Sequence, residues 1–240
     1  PQNLINLKEE NKVAIIEMGM RCKNQISELC RIAEPNAGII TGIGSAHIEI
    51  LGSKNDIALS KWELAEYLKN TNSFLAIPAY DTYLVELAKD FEQDKLLKIN
   101  LEEDSSSLLV LKKHWVENDK QYFIFKDNKT NKEHQAVLSV LGKHQISNAL
   151  LVLAIGKVLN IEYPEFLDLT FENLAGRSES IQINSAIFLN DAYNANPESM
   201  KASIETFLNQ NNELPQILVI GEMRELGNYS KEAHYDIGKF

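Results

Sequence analysis

The sequence predicts an α/β protein: a doubly wound, mostly parallel sheet with a small antiparallel appendage, followed by a second, shorter strand-helix-strand unit. Three observations predict it. Short apolar runs such as Val13-Ala14-Ile15-Ile16 and Phe74-Leu75-Ala76-Ile77 have the composition of strands buried on both faces. Between them lie stretches whose apolar residues recur at helical spacing. Further on, this rhythm gives way to closely spaced β-type segments separated by polar turns.

Each element follows in order. Residues 25–33 are helical in pattern, with Ile26, Leu29, Cys30 and Ala33 on one face and Pro35 closing the helix. Gly38-Ile39-Ile40-Thr41 is the next strand, then come a Gly-containing loop and a helix over about 55–68. Phe74 to Ile77 is the third strand, ended by Pro78. This β-α-β-α-β order predicts right-handed crossovers and places ligand sites at the carboxyl ends of the strands. Across about 96–140, the segments 108–111, 122–125 and 136–140 predict the antiparallel strands. No glycine lies between Gly52 and Gly142, so the tight turns there must use Asn and Asp. A strongly apolar helix over about 144–159 must be nearly surrounded by protein. After Gly176-Arg177 come a strand at 186–189, a helix at 197–208 and a strand at 217–220. A domain boundary is expected near Arg177, giving units 1–176 and 177–240.

Composition narrows the class. The 240 residues are 44% hydrophobic and 24% charged, as in globular chains. Twenty-four basic against 34 acidic residues leave a net charge of −10, which argues against a general nucleic-acid or anionic-membrane binder. The two cysteines, Cys22 and Cys30, form neither a disulfide framework nor a CxxC pair, which suits a reducing, cytoplasmic setting. No run approaches the about 18 apolar residues of a membrane helix, so no membrane insertion is expected.

Several residues could carry chemistry. Glu17 directly follows an apolar run, where it is either a solvated strand-end carboxylate or a ligand. His47 lies in Thr41-Gly42-Ile43-Gly44-Ser45-Ala46-His47, where it is an ordinary loop residue, a base or a metal ligand; it stands where GxGxxG needs its third glycine. Lys61 fills the missing offset in the apolar helix series Ile57, Leu64, Ala65, Leu68 and so points along the buried face. It is either a snorkelling lysine or one whose neutral amine burial favours. The Gly-Lys pairs at Gly142, Gly156 and Gly238 have no glycine five residues upstream, so no phosphate-binding GxxxxGK[ST] loop is present. Gly142 to Asn148 leads polar residues into the apolar helix, for anion binding or for capping. Arg177 sits at the proposed hinge, Asp191 ends a strand, and Asp191 to Pro197 forms a polar strand-to-helix turn.

Together these segments resemble the Mur ligase family. The matching blocks are Glu17-Met18-Gly19, Gly42 to Glu49 with Leu51-Gly52-Ser53, Lys61, Gly142-x-His144-x-x-x-Asn148 and Gly176-Arg177. They continue with Asp191-x-Tyr193-Asn194-Ala195-Asn196-Pro197-x-Ser199-Met200 and Gly221-Glu222-Met223-x-Glu225-Leu226-Gly227. The family pattern has Asn where Gln145 stands.

The resemblance implies a central ATP-binding domain over 1–176 without its phosphate loop, then the first part of a Rossmann-like C-terminal ligase domain over 177–240. It implies ATP-dependent amide-bond formation through an acyl phosphate, with D-alanyl-D-alanine and UDP-N-acetylmuramoyl-tripeptide as the substrates favoured within the family. Magnesium would be held by Glu17, His47 and Lys61, the last as a carbamate. Lys61 and His47 would be catalytic, Asn148, Arg177 and Asp191 would contact ATP, and Tyr193, Asn194 and Asn196 would face substrate or the closing domain. A monomeric cytoplasmic enzyme of peptidoglycan synthesis is expected. The nucleotide-sugar domain and phosphate loop are expected upstream of Pro1, so the 240-residue chain alone is expected to be inactive. Competing readings are another ligase of the superfamily, such as a folylpolyglutamate synthetase, and a non-catalytic α/β fragment.

Overall fold

Seven strands in sequential order, β1 to β7, form one sheet in the computed structural model, which describes residues 2–171, 176–209 and 215–240. The elements are α1 (Gln2–Ile5), α2 (Gln25–Ala33), β1 (Ala37–Ile39), α3 (Ile48–Leu51), α4 (Lys54–Asn70), β2 (Phe74–Pro78), α5 (Thr82–Leu87), β3 (Leu96–Asn100), β4 (Leu109–Glu117), β5 (Lys120–Asp127) and β6 (Lys132–Leu138). They continue with α6 (Lys143–Val158), β7 (Phe166–Leu169), β8 (Glu179–Ile183), β9 (Ala186–Asn190), α7 (Pro197–Leu208) and α8 (Ser230–Lys239). Strands β1 to β4 run parallel, β4 to β6 antiparallel, and β7 returns parallel to β6. The antiparallel appendage is therefore continuous with the parallel sheet.

Strand alternation explains why β2 is apolar throughout. Leu75 and Ile77 face one side and join Trp62, Ala65, Leu68 and Leu84 of α4 and α5. Ala76 faces the other side and joins Ile146, Leu150 and Leu151 of α6. Covered on both faces, the strand can carry no polar position. On β1, a Cβ at Gly38 would lie 2.7 Å from Leu68 Cδ1 and 2.9 Å from Leu64 Cδ2, so only glycine lets α4 cross this closely. The β4–β5 turn uses Asn118 at φ 49° and Asp119 at φ 55°, the left-handed pair that a tight hairpin requires.

Two expectations need correction. The run Val13 to Ile16 joins no ladder among the described residues, and Ile15 is 92% exposed. Ile217 to Ile220 likewise joins none, with Val219 90% exposed. Both have the composition of interior strands, but burial comes from neighbouring strands, and none flanks them among the described residues. Helix α6 is nearly enclosed, as its apolar composition predicts: Ile146, Leu150, Leu151 and Ala154 are completely buried, while Val152 is 61% exposed.

Beyond Gly176, β8 and β9 form a separate antiparallel hairpin, and α7 and α8 pack back onto the first part of the chain. Ile204, Met223, Leu226 and Ile237 form one apolar cluster with Ile26, Cys30, Ile48 and Ile57. The burial contrast along α6 sets a test of how that helix packs on the sheet. Leu150→Ala should lower unfolding free energy by about 3 kcal/mol in urea titrations, while Val152→Ala should stay within about 0.5 kcal/mol.

Candidate active site

The loops leaving the carboxyl ends of β1 and β2 meet, and the site is built around them. The β1 loop turns at Gly42, whose φ of +151° few other residues adopt. Its carbonyl accepts a 2.7 Å hydrogen bond from Lys61 Nζ, about two turns into α4. The next amide, Ile43 N–H, donates to Asp81 Oδ2 at 2.7 Å. Asp81 follows β2 and caps α5 with its other oxygen, which accepts from the Tyr83 and Leu84 amides at 3.1 Å each. Further along the loop, Ser45 donates from its amide at 3.0 Å and from Oγ at 2.7 Å to the Glu198 carboxylate of α7. Lys54 Nζ, at the start of α4, reaches the same carboxylate at 2.8 Å. His47 ends the loop at φ 64°, with Nδ1 against the Glu225 carboxylate.

Two charges are displaced from their ordinary behaviour. Burial pushes the Lys61 ammonium pKa down, and the nearby Asp81 and Glu198 charges offset this only in part. The neutral amine is thus more available than on a surface lysine. Burial pushes Glu198 up, yet hydrogen bonds from Lys54 and Ser45 outweigh it and hold the carboxyl below its ordinary range.

The other predicted residues fall into separate places. Glu17 is exposed and has no hydrogen-bond or ion-pair partner among the described residues. Asn148 is exposed on the first turns of α6, its amide 3.4 Å from Gln145 Oε1. Arg177, Asp191 and Tyr193 do come together: the guanidinium lies 4.1 Å from the Tyr193 ring centre, Asp191 accepts from Ser178 N–H at 2.9 Å, and Tyr193 N–H donates to Gly176 O at 3.0 Å. Asn194 is engaged locally, accepting from Ala195 N–H at 2.9 Å. Asn196 forms a reciprocal capping box with Ser199, so its side chain is committed to starting α7. Among the described residues no three His, Cys, Asp or Glu side chains gather as a metal site.

Sequence reasoning missed Asp81, Glu198 and Glu225. The available signal was an acid just past a strand end for Asp81 and an acid in the first turn after Asn-Pro for Glu198. A cavity of about 510 Å³ opens beside this loop between α4 and α7–α8, lined by Ser45, Lys54, Tyr83, Glu198, Lys201 and Asp236 among others.

A parallel sheet whose strand-end loops converge on a half-buried lysine defines an open α/β protein with its ligand site at the carboxyl ends of the strands. The chain belongs to the Mur ligase family: the Mur ligase middle domain matches residues 1–156, and the Mur ligase glutamate ligase domain matches residues 176–240. It is 31% identical over 248 aligned residues to UDP-N-acetylmuramoyl-tripeptide–D-alanyl-D-alanine ligase of Bacillus subtilis strain 168, covering 99% of this chain and 50% of that protein. MurF from Acinetobacter baumannii has the same fold, with a TM-score of 0.85 at 23% identity over 98% of this chain and 50% of its own. MurF ligase from Thermotoga maritima in complex with ADP superposes with a TM-score of 0.80 at 25% identity, over 92% of this chain and 50% of its own. The chain thus spans about half the length of the relatives it matches.

Asp81 is the anchor shared by the β1 loop and α5. Asp81→Ala should cost about 1–2 kcal/mol in thermal or urea unfolding, while Asp81→Asn, which keeps an acceptor, should cost less. Equal losses from both variants would contradict the hydrogen-bonding role.

Proposed function

We propose that this chain forms the central unit and part of the C-terminal unit, meeting at residues 176 and 177, of an ATP-dependent ligase. The ligase joins D-alanyl-D-alanine to UDP-N-acetylmuramoyl-tripeptide in peptidoglycan precursor synthesis. The observation that carries the reading is the half-buried Lys61 amine held on the β1 loop that also carries His47, in a chain similar over nearly its whole length to a ligase of that name.

The chemistry explains the residue types. A peptide carboxylate takes the γ-phosphoryl group of ATP, giving an acyl phosphate and ADP. The amine of the dipeptide attacks the acyl carbon, and the tetrahedral intermediate expels phosphate as the amide forms. Negative charge grows on the phosphoryl oxygens in the first step, so cationic and hydrogen-bonding groups must already be positioned there.

A magnesium ion would supply that charge stabilisation. Glu17 offers the oxygen donor a hard cation takes, an exposed carboxylate with no partner among the described residues. His47 Nδ1 lies against the Glu225 carboxylate, a contact that would give way if the imidazole held the metal. Lys61 becomes an oxygen donor if its neutral amine adds carbon dioxide, forming an N–C bond and releasing one proton. The displaced Lys61 equilibrium supports this step, because only the unprotonated amine is nucleophilic. A carbamate replaces the half-buried cation by an anion, whose burial beside Asp81 and Glu198 a bound magnesium ion would offset.

In the same proposal, Asn148 and Arg177 contact ATP and Asp191 holds its ribose. Tyr193 and Asn194 line the face that closes on substrate, and Asn196 fixes the turn that presents them. The hydrogen bond from Ser178 N–H to Asp191 brings Arg177 and Asp191 close together, which supports a shared role of these two at ATP. A monomeric enzyme acting in the cytoplasm belongs to this reading. No helix among the described residues is long and apolar enough to cross a membrane.

In the ligase that carries this chain, phosphate release should require both UDP-N-acetylmuramoyl-tripeptide and D-alanyl-D-alanine. Chelation of divalent cations should abolish it. Lys61→Ala should lower turnover by about 100-fold or more, with partial recovery in short carboxylates. Unchanged turnover in Lys61→Ala would contradict the role of the lysine. Release supported by folate and glutamate instead would contradict the substrate assignment.

A further inference from the structure

Glu198 has no role in the chemistry described above, yet its carboxylate is where the two parts of the chain meet most specifically. It sits in the first turn of α7 and accepts from Ser45 N–H and Ser45 Oγ, 153 residues away in sequence, and from Lys54 Nζ, 144 residues away. The contact is close: a Cβ built on Gly44 would lie 3.5 Å from Glu198 Oε2, so the loop backbone rests against the carboxylate. Ser45 is buried, and the Asn196–Ser199 capping box fixes the start of α7, so each partner is held in place on its own element.

Behind it, Ile204, Met223 and Leu226 pack on Ile48 and Ile57. Apolar contact of this kind supplies adhesion but little direction. Hydrogen bonds are directional, and those to a charged group are the strong ones. One carboxylate taking an amide, a hydroxyl and an ammonium from the opposite surface therefore defines where α7 sits. The loop it grips carries Gly42, the Lys61 acceptor, and His47, so any shift of α7 is felt by both residues.

We propose that Glu198 is a positioning residue: its carboxylate seats α7 on the Gly42–His47 loop and sets the register of the C-terminal unit against the first. The seating stands apart from the ligase reading, and only its consequence for turnover rests on that reading.

Amide hydrogen exchange on the 240-residue chain tests the seating directly. Glu198→Ala should raise exchange at the Ser45 amide and its loop neighbours by about tenfold, while amides of β4 to β6 keep their protection. Glu198→Gln, which keeps an acceptor for Ser45 but loses the charge facing Lys54, should fall between wild type and Glu198→Ala. Adding Ser45→Ala to Glu198→Ala should loosen α7 no further than Glu198→Ala alone, because both remove the same contact.

Unchanged Ser45 exchange, loosening spread evenly over the sheet, or additive effects in the double variant would each overturn the proposal. In the ligase, Glu198→Ala should raise KM more than it lowers kcat, as weaker seating predicts. A loss confined to kcat would place Glu198 in the chemistry and overturn the positioning role. If wild type shows no ligation at all, the ligase reading fails while the exchange result still decides the seating.

Discussion

The loop leaving β1 carries backbone donors and acceptors that no ladder satisfies, and the rest of the site is arranged to satisfy them. Lys61 from α4 takes the Gly42 carbonyl, Asp81 from the end of β2 takes the Ile43 amide, and Glu198 from α7 takes the Ser45 amide. Each pairing takes a loop backbone group that water would otherwise satisfy only in part, most of all at buried Ser45, so the three side chains together stabilise this loop shape. Its conformation is thereby tied to three elements distant in sequence. A strand-end loop that would otherwise be mobile becomes a fixed platform for His47.

The same arrangement decides the electrostatics. Lys61 has two carboxylates in range, yet burial outweighs them and the ammonium is disfavoured. Glu198 shows the opposite balance, because directed hydrogen bonds outweigh its burial. The difference lies in contact. Glu198 receives three donors directly, whereas Lys61 touches a neutral carbonyl and feels its carboxylates only through space. The chain's overall charge of −10 says nothing about this local contrast.

Much of the scaffold was legible in the sequence, for identifiable reasons. The helix over 25–33 matches α2, the apolar run at 74–77 falls within β2, and Asn118-Asp119 forms the glycine-free turn that the composition required. These features depend on local periodicity or local backbone chemistry. Val13 to Ile16 and Ile217 to Ile220 were misread because periodicity reports what a segment is suited to, and the neighbours decide whether it pairs. In the site, Lys61 stood out because a lysine interrupts an apolar helical series. Asp81 and Glu198 did not, since an acid in a first helical turn reads as an ordinary cap. Asp81 does act as one, while also reaching across to Ile43. Asn196, read as facing substrate or the closing domain, also forms a capping box with Ser199 that the sequence reading did not see.

In the proposed chemistry Lys61 is a modified ligand and not a structural lysine. Carbon-13 NMR with labelled bicarbonate addresses this without requiring turnover. The account predicts a carbamate carbonyl resonance that appears in the wild-type protein and disappears in Lys61→Ala. It also predicts that the resonance persists to lower pH than for a surface amine, because burial favours the unprotonated lysine. No resonance in the wild type, or one that survives loss of Lys61, would contradict it.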